Sequence, residues 1–154
     1  MISWNTSSSP KLGPPGVDLL RVLGPIAPTS TSVIRNVGQH LSSFGDLRFL
    51  LDLVRQLWSA HSGNPKLAPC FRDAFEFVGA LPLGVPRPQV WTDGVCEVVF
   101  EWIGRRDHAV VSVEGDGVLG YTMRSAGQFI PGAHEQSPPS KVPADLREYL
   151  SYFE

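Results

Sequence analysis

The sequence predicts an α+β fold in which helices cover one face of a four-stranded antiparallel meander. Three observations support this prediction. Apolar residues recur at helical spacing over residues 46–60, the apolar period shortens to two from Gln89 onward, and Pro143 opens a last amphipathic segment. Because a chain of 154 residues usually forms one domain, we expect residues 1–154 to form a single domain.

Composition and period divide this domain into parts. In chain order they are an irregular arm rich in Pro and Ser, a helical part, an antiparallel sheet and a C-terminal helix, at residues 1–32, 33–80, 89–124 and 143–153. The Pro-rich stretch between the helical part and the sheet predicts a stiff, extended link, because each proline disfavours helical geometry in the residue before it.

The helical part is predicted to hold a weak helix over about residues 31–40 and two amphipathic helices. The first of the two runs from Asp46 to Ala60, and its apolar stripe comprises Leu47, Leu50, Leu51, Val54, Leu57 and Trp58. The second is ended by Gly79 and Pro82, and its apolar face comprises Phe71, Ala74, Phe75 and Val78. In the C-terminal helix the residues expected to face the core are Leu146, Tyr149, Leu150 and Phe153.

The alternation that begins at Gln89 predicts strands at residues 89–92, 95–103, 108–114 and 118–124. Asp93-Gly94 is predicted to be a two-residue hairpin turn that sets Trp91 opposite Cys96 on the covered face. The next loop predicts three register pairs, which are Trp102 with Ala109, Phe100 with Val111 and Val98 with Val113.

The last turn is predicted to be a three-residue loop, residues 115–117, in which Gly117 takes the left-handed conformation. This loop keeps one face apolar, whereas a two-residue loop would slip the register and mix apolar with polar side chains. The resulting pairs are Leu119 with Val113, Tyr121 with Val111 and Met123 with Ala109.

The same register gathers carboxylates and apolar side chains on the face turned away from the helices. Glu97 falls opposite Glu114, and like charges in that position weaken a sheet. We therefore take this face as the candidate partner-binding surface, with the residues Glu97, Val99, Glu101, Val110 and Glu114.

Three interpretations of this face stay open. Its acids could simply keep a solvated surface soluble. The face could bind another protein through an apolar centre with acidic rims. Alternatively, Glu97 and Glu114 could be the acid/base pair of a small hydrolase, although a flat meander offers no cleft for substrate.

No cofactor or metal is expected, because the histidines and cysteines lack zinc-ligand spacing and no phosphate-binding loop is present. Cys96 is expected to pack beside Trp91 rather than to act as a nucleophile. Arg105-Arg106 is interpreted as a solvated turn, and the net charge of −2 argues against direct nucleic-acid binding. Two cysteines and the lack of a long apolar run favour a cytoplasmic protein with no membrane contact. The oligomeric state is not indicated.

Five short segments together resemble a group of small bacterial or mobile-element proteins. These segments are residues 86–94, Phe100-Glu101-Trp102, Gly115-Asp116-Gly117, Tyr121 and residues 142–146. The resemblance covers about the last 70 residues and brings no functional residues with it. It implies a non-enzymatic accessory protein, such as an antitoxin-like regulator or an anti-CRISPR-like inhibitor of host defence. The expected partner is another protein, in the sharpest version one with a basic nucleic-acid-binding groove.

Overall fold

The computed structural model describes residues 39–132 and 136–153. In chain order, its elements are α1 (Phe44–Ala60), α2 (Leu67–Ala80), β1 (Gln89–Thr92), β2 (Val98–Ile103), β3 (Asp107–Val113), β4 (Leu119–Ser125), β5 (Gln128–Ile130) and α3 (Ala144–Ser151). The predicted arm lies outside the described residues. So does the predicted helix at residues 31–40 except for its last two positions, where His40 forms an isolated β-bridge with Pro86.

At the start of helix α1, a buried carboxylate accepts hydrogen bonds from the two residues that precede the helix. Oδ2 of Asp46 accepts hydrogen bonds from the backbone N–H and the hydroxyl of both Ser42 and Ser43, at 2.8–3.1 Å. The other oxygen of Asp46 pairs with the guanidinium of Arg87, which precedes β1. A negative charge at a helix N-terminus is favourable, and here it also ties α1 to the link that enters the sheet.

The apolar faces predicted for the helices point into one core. Phe71, Phe77 and Val78 of α2 are fully buried, and the rings of Phe77 and Phe100 meet edge to face at 4.9 Å. Leu146 and Leu150 of α3 are buried as predicted, and Tyr149 of α3 and Phe153, just after the helix, pack against the same cluster. Burial of each large apolar side chain contributes roughly 1.5–3 kcal/mol.

The sheet is an antiparallel meander in the order β1-β2-β3-β4-β5, so it has five strands rather than the predicted four. The fifth strand, Gln128–Ile130, follows a tight turn in which Ala126 has φ 49° and Gly127 has φ 80°. Its three residues were too few to show an alternation in the sequence, and Pro131 follows them directly.

The predicted register from β2 to β4 is confirmed at all six apolar pairs. Trp102 faces Ala109, Phe100 faces Val111 and Val98 faces Val113. The next strand continues these rows with Met123, Tyr121 and Leu119. The register expected from the three-residue loop is therefore correct, although the strands end at Val113 and begin at Leu119, so the connection spans residues 114–118. Gly117 has the expected positive φ, 82°.

The predicted turn between β1 and β2 is wrong. Trp91 pairs with Val99 and Thr92 with Val98, so residues 93–97 form a longer loop and Cys96 is exposed instead of packing beside Trp91. The cause is the side chain of Asp93, whose Oδ1 accepts the backbone N–H groups of Val95, Cys96 and Glu97 at 2.8–3.0 Å. These bonds close a wider turn than an Asp-Gly pair forms without them.

Candidate functional site

The face of the sheet turned away from the helices, here called the outer face, carries the candidate residues. The side chains that alternate with the core-facing ones lie on this face. They are Gln89, Trp91, Val99, Glu101, Ile103, His108, Val110, Ser112, Gly120, Thr122, Arg124 and Phe129. Thr122, Arg124 and Phe129 are exposed, and Val110 is half-buried. Polar and apolar side chains therefore share this face.

Glu101 is the centre of a hydrogen-bond network on the outer face. Its Oε2 accepts the indole N–H of Trp91 at 3.3 Å, and its Oε1 lies 2.8 Å from Nε2 of His108. The predicted register already sets His108 opposite Ile103, one diagonal step from Glu101, so the pairing was accessible from the sequence. The indole contact was not, because it depends on the corrected β1 register.

The five residues predicted to bind a partner do not form a uniformly exposed patch. Glu97 and Glu114 lie just outside the ladder, each next to a member of its last pair, Val98 and Val113. The hydroxyl of Ser112 donates a hydrogen bond to Glu97. Glu114 is exposed, whereas Val99 is only 1% exposed and so offers little contact area. The sequence could not anticipate this burial, because it depends on the side chains that surround Val99 on its own face.

The Glu97 and Glu114 pair required by the hydrolase alternative lies at the end of the sheet, beside an exposed loop. Since Glu114 is exposed there, the pair lacks the enclosure that would exclude water from a glycosidic substrate. Of the residues described, no group of three or more His, Cys, Asp or Glu side chains is arranged to hold a metal ion.

The two ends of the sheet carry opposite charges. The carboxylate end comprises the loops at residues 93–97 and 114–118, with the acidic residues Asp93, Glu97, Glu114 and Asp116. The arginine end comprises the turns at residues 104–106 and 126–127, with Arg105, Arg106 and the adjoining Arg124. Hairpin connections alternate between the two ends of an antiparallel meander, so the fold itself produces this separation.

At the carboxylate end most acidic groups serve the local structure. Burial alone would raise the pKa of the Asp93 carboxyl, but its three backbone N–H donors outweigh burial and lower this pKa overall. Desolvation, followed by the negative charges of Asp93, Glu114 and Glu97, raises the pKa of the Cys96 thiol. Cys96 is therefore a protonated and weakly nucleophilic thiol at neutral pH.

Helix α2 and the loop that precedes it hold the carboxylate end in place. The amide of Asn64 donates to the carbonyl oxygens of Gly94 and Val95 at 3.0 and 3.2 Å. Oδ2 of the buried Asp73 accepts the backbone N–H of Gly117 at 3.0 Å. A Cβ added at Gly115 would lie 2.6 Å from the backbone nitrogen of Cys70, so helix and turn are in direct backbone contact.

The arginine end is held from below by one side chain of α3. The hydroxyl of Tyr149 accepts the backbone N–H of His108 at 3.0 Å and donates to the carbonyl oxygen of Arg124. Burial is the main cause of the raised pKa of this phenol. Between the two turns lies a groove of about 430 Å³, and the backbones that support its walls are fixed by this contact.

Comparisons of the chain with protein-family models, with curated proteins and with solved structures found no match. The resemblance to small bacterial or mobile-element proteins therefore stays a hypothesis. None of the helices in residues 39–132 and 136–153 is both long enough and apolar enough to cross a membrane.

Proposed function

We propose that this chain is a non-enzymatic binding protein that contacts a protein partner through the outer face of its sheet. The observation that carries the proposal is the network in which Glu101 accepts from Trp91 and pairs with His108. Polar groups that already satisfy one another can be covered by a partner without being left unpaired, which removes a main cost of burying them. Such a face suits a broad macromolecular contact better than an enclosed small-molecule site.

The carboxylates favour a partner that is basic at the contact. Glu97, Glu101 and Glu114 bring negative charge to one half of the outer face, beside the half-buried Val110. Charge complementarity of this kind speeds association and selects among partners. A nucleic-acid-binding groove is the basic surface we propose, which would make the chain an occluding inhibitor.

The resemblance of the last part of the chain to accessory proteins of bacteria and phages leads to the same proposal. In that setting the partner is a host defence complex or a toxin, and the chain acts as an anti-CRISPR-like inhibitor or as an antitoxin. Since no structural match supports the biological setting, the contact chemistry is what an experiment should address first.

Photo-crosslinking tests the position of the contact. Benzoylphenylalanine introduced at the exposed Thr122, directly opposite Val110, should crosslink one partner, whereas the same residue at Glu148 on α3 should not. The partner would be identified by mass spectrometry and then purified. Equal crosslinking from the two positions would show that the outer face is not the contact.

Two charge-reversal variants then test the role of the acids with the purified partner. Glu114→Lys and Glu148→Lys change the net charge equally, at exposed positions on different sides of the molecule. We expect Glu114→Lys to slow association about tenfold at low salt and Glu148→Lys to have little effect. Identical association rates for both variants would overturn the assignment of the acidic half as the contact.

A further inference from the structure

The groove at the arginine end holds three arginines that no ion pair of the described residues neutralises. The residues that carry its chemistry are Ile103, Arg105, Arg106, His108 and Arg124. None of the three arginines forms an ion pair within the described part of the chain. The only carboxylate in the groove, that of Asp107, accepts a hydrogen bond from the hydroxyl of Ser125 at 2.6 Å. The groove is therefore cationic although the whole chain has a net charge of −2.

A row of side chains crosses the outer face beside this groove. Ile103 pairs with His108, His108 with Arg124, and Arg124 with Phe129, so these four residues are direct neighbours on successive strands. Ile103 and Phe129, at the ends of the row, are 55% and 60% exposed. Between them lie the planar groups of His108 and Arg124. An imidazole, a guanidinium and an exposed phenyl ring thus stand side by side, about 5 Å apart from strand to strand.

The row is fixed before any ligand binds. Nε2 of His108 is held by Glu101, and Nη2 of Arg124 donates to the carbonyl oxygen of Gly127 at 3.3 Å. Beneath them Tyr149 bonds to the backbone of both strands. A ligand that stacks on these groups would lose less conformational freedom than one that must order them first.

We infer that the arginine end binds single-stranded nucleic acid, with the arginines on phosphates and a base stacked on Phe129. Unpaired bases stack on aromatic rings and on guanidinium planes, and sheets that present both are a recurring way to bind single strands. The inference goes beyond the proposed function, because it concerns a different class of ligand and the arginines of the groove, although His108 belongs to both surfaces.

A single strand fits these observations better than a duplex or an acidic peptide. Bases inside a duplex are not free to stack on Phe129, and the carboxylates of a peptide have no flat apolar face to match it. The carboxylate end of the sheet repels a long phosphate backbone. The footprint should therefore be short, a few nucleotides on the cationic half of the face.

Fluorescence anisotropy with end-labelled oligo-dT and oligo-U of about 12 nucleotides tests the inference. Three phosphate contacts predict a slope of about −2 for log K against log salt. Replacing Arg105 and Arg106 together by Ala should make this slope shallower by about 1.4. Arg147→Ala, at an exposed arginine of α3, is the matched control and should leave both affinity and slope unchanged.

Phe129→Ala separates stacking from charge. Loss of one stacked base should weaken binding roughly tenfold while the salt slope stays the same. Free thymidine monophosphate and a poly-glutamate of equal charge are the competing ligands. Each competitor is added so that its phosphate or carboxylate groups equal in concentration the phosphates of the oligonucleotide. Displacement by thymidine monophosphate would assign the site to nucleotides, displacement by poly-glutamate would assign it to acidic peptides, and either result would overturn the inference. Oligonucleotide affinities that do not differ between wild type and the arginine and phenylalanine variants would also overturn it.

The variants also keep the two proposals apart. Glu114→Lys lies at the carboxylate end and should not weaken oligonucleotide binding. If protein capture fails with Glu114→Lys but oligonucleotide binding holds, the two sites are independent. If the oligonucleotide instead fails to bind the wild-type chain, only the inference on the arginine end is lost.

Discussion

The two ends of the sheet are built from the same kind of hairpin, yet they use their charged residues differently. At the carboxylate end, Asp93 accepts three backbone N–H groups of its own loop and Asp116 accepts that of Val118. Helix α2 adds direct contacts to both loops. At the arginine end, the exposed side chains of Arg105 and Arg106 form no ion pair within the described residues, and only the backbone carbonyl of Arg106 accepts a hydrogen bond, from Ala126. The aspartates at one end stabilise the fold, whereas the arginines at the other end are available to a ligand.

This difference changes where a binding function should be sought. A carboxylate that already accepts backbone hydrogen bonds is less available to a partner's cations, so counting acidic residues overstates the acidity offered at that end. Arg105 and Arg106 form no ion pair within the described residues, so their guanidinium groups can bind an anion. Substitution of Asp93 should therefore change stability, whereas substitution of Arg105 and Arg106 should change binding.

The largest effect is expected at Gly115, where the turn touches α2. Gly115→Ala puts a Cβ 2.6 Å from the backbone nitrogen of Cys70 and also strains a residue with φ 79°. We expect a loss of about 3 kcal/mol or more in the free energy of unfolding, measured by urea denaturation. Gly117→Ala is the control, since its φ is 82° but nothing lies within 4 Å of the added Cβ. It should cost about 1–2 kcal/mol, and equal losses would deny the contact with α2.

The next effect is expected at Asp73, which is 2% exposed and accepts the backbone N–H of Gly117. Asp73→Ala leaves that N–H without its partner and should lower the free energy of unfolding by about 2 kcal/mol. Asp52→Ala removes an exposed ion pair with Arg55 and should change it by less than about 1 kcal/mol. Similar losses from the two variants would show that the link from α2 to the turn is not stabilising.

A smaller effect that depends on pH is expected at Asp93. Its pKa is lowered in the folded chain, so its contribution is present above the ordinary aspartate pKa of about 3.9 and is lost as pH falls through the folded value. Because this carboxyl is exposed, solvent screening keeps the contribution near 1 kcal/mol. The difference in melting temperature between wild type and Asp93→Ala should shrink on acidification. A difference that stays constant with pH would contradict the assignment.

The smallest effect on stability is expected at the arginine end. Arg105→Ala combined with Arg106→Ala removes two exposed side chains that form no ion pair within the described residues, so the free energy of unfolding should stay within about 0.5 kcal/mol of wild type. A rise in stability would fit relief of repulsion between the arginines. A loss above about 1 kcal/mol would mean that this end also serves the fold, and the contrast between the ends would fail.

Periodicity predicted the parts of the fold that depend on repeated burial. The pairs of Trp102, Phe100 and Val98 with β3 could be predicted, because a register shift of one residue would expose every apolar side chain of the strand. The helices could be predicted for the same reason, because their apolar stripes repeat at helical spacing. The spacing of large side chains therefore predicts the α+β class and the antiparallel meander.

Features that depend on single hydrogen bonds could not be predicted from the sequence. The side chain of Asp93 widened a turn that its Asp-Gly sequence would otherwise have made tight, which moved Cys96 into solvent. The fifth strand was missed because three residues carry too little pattern. Of the candidate site, the face assigned to the glutamates followed from the register. The contact of Glu97 with Ser112 did not, because it depends on side-chain rotamers, and the contact of Glu101 with Trp91 did not, because it depends on the corrected β1 register.

The two edges of the sheet have a consequence for how this chain behaves at high concentration. Strand β5 has three residues, and β1 has four and comes directly after Pro88. Edges this short present few free backbone groups to a neighbouring chain, and a proline has no N–H to offer it. We expect this architecture to resist the strand-by-strand addition that starts amyloid growth.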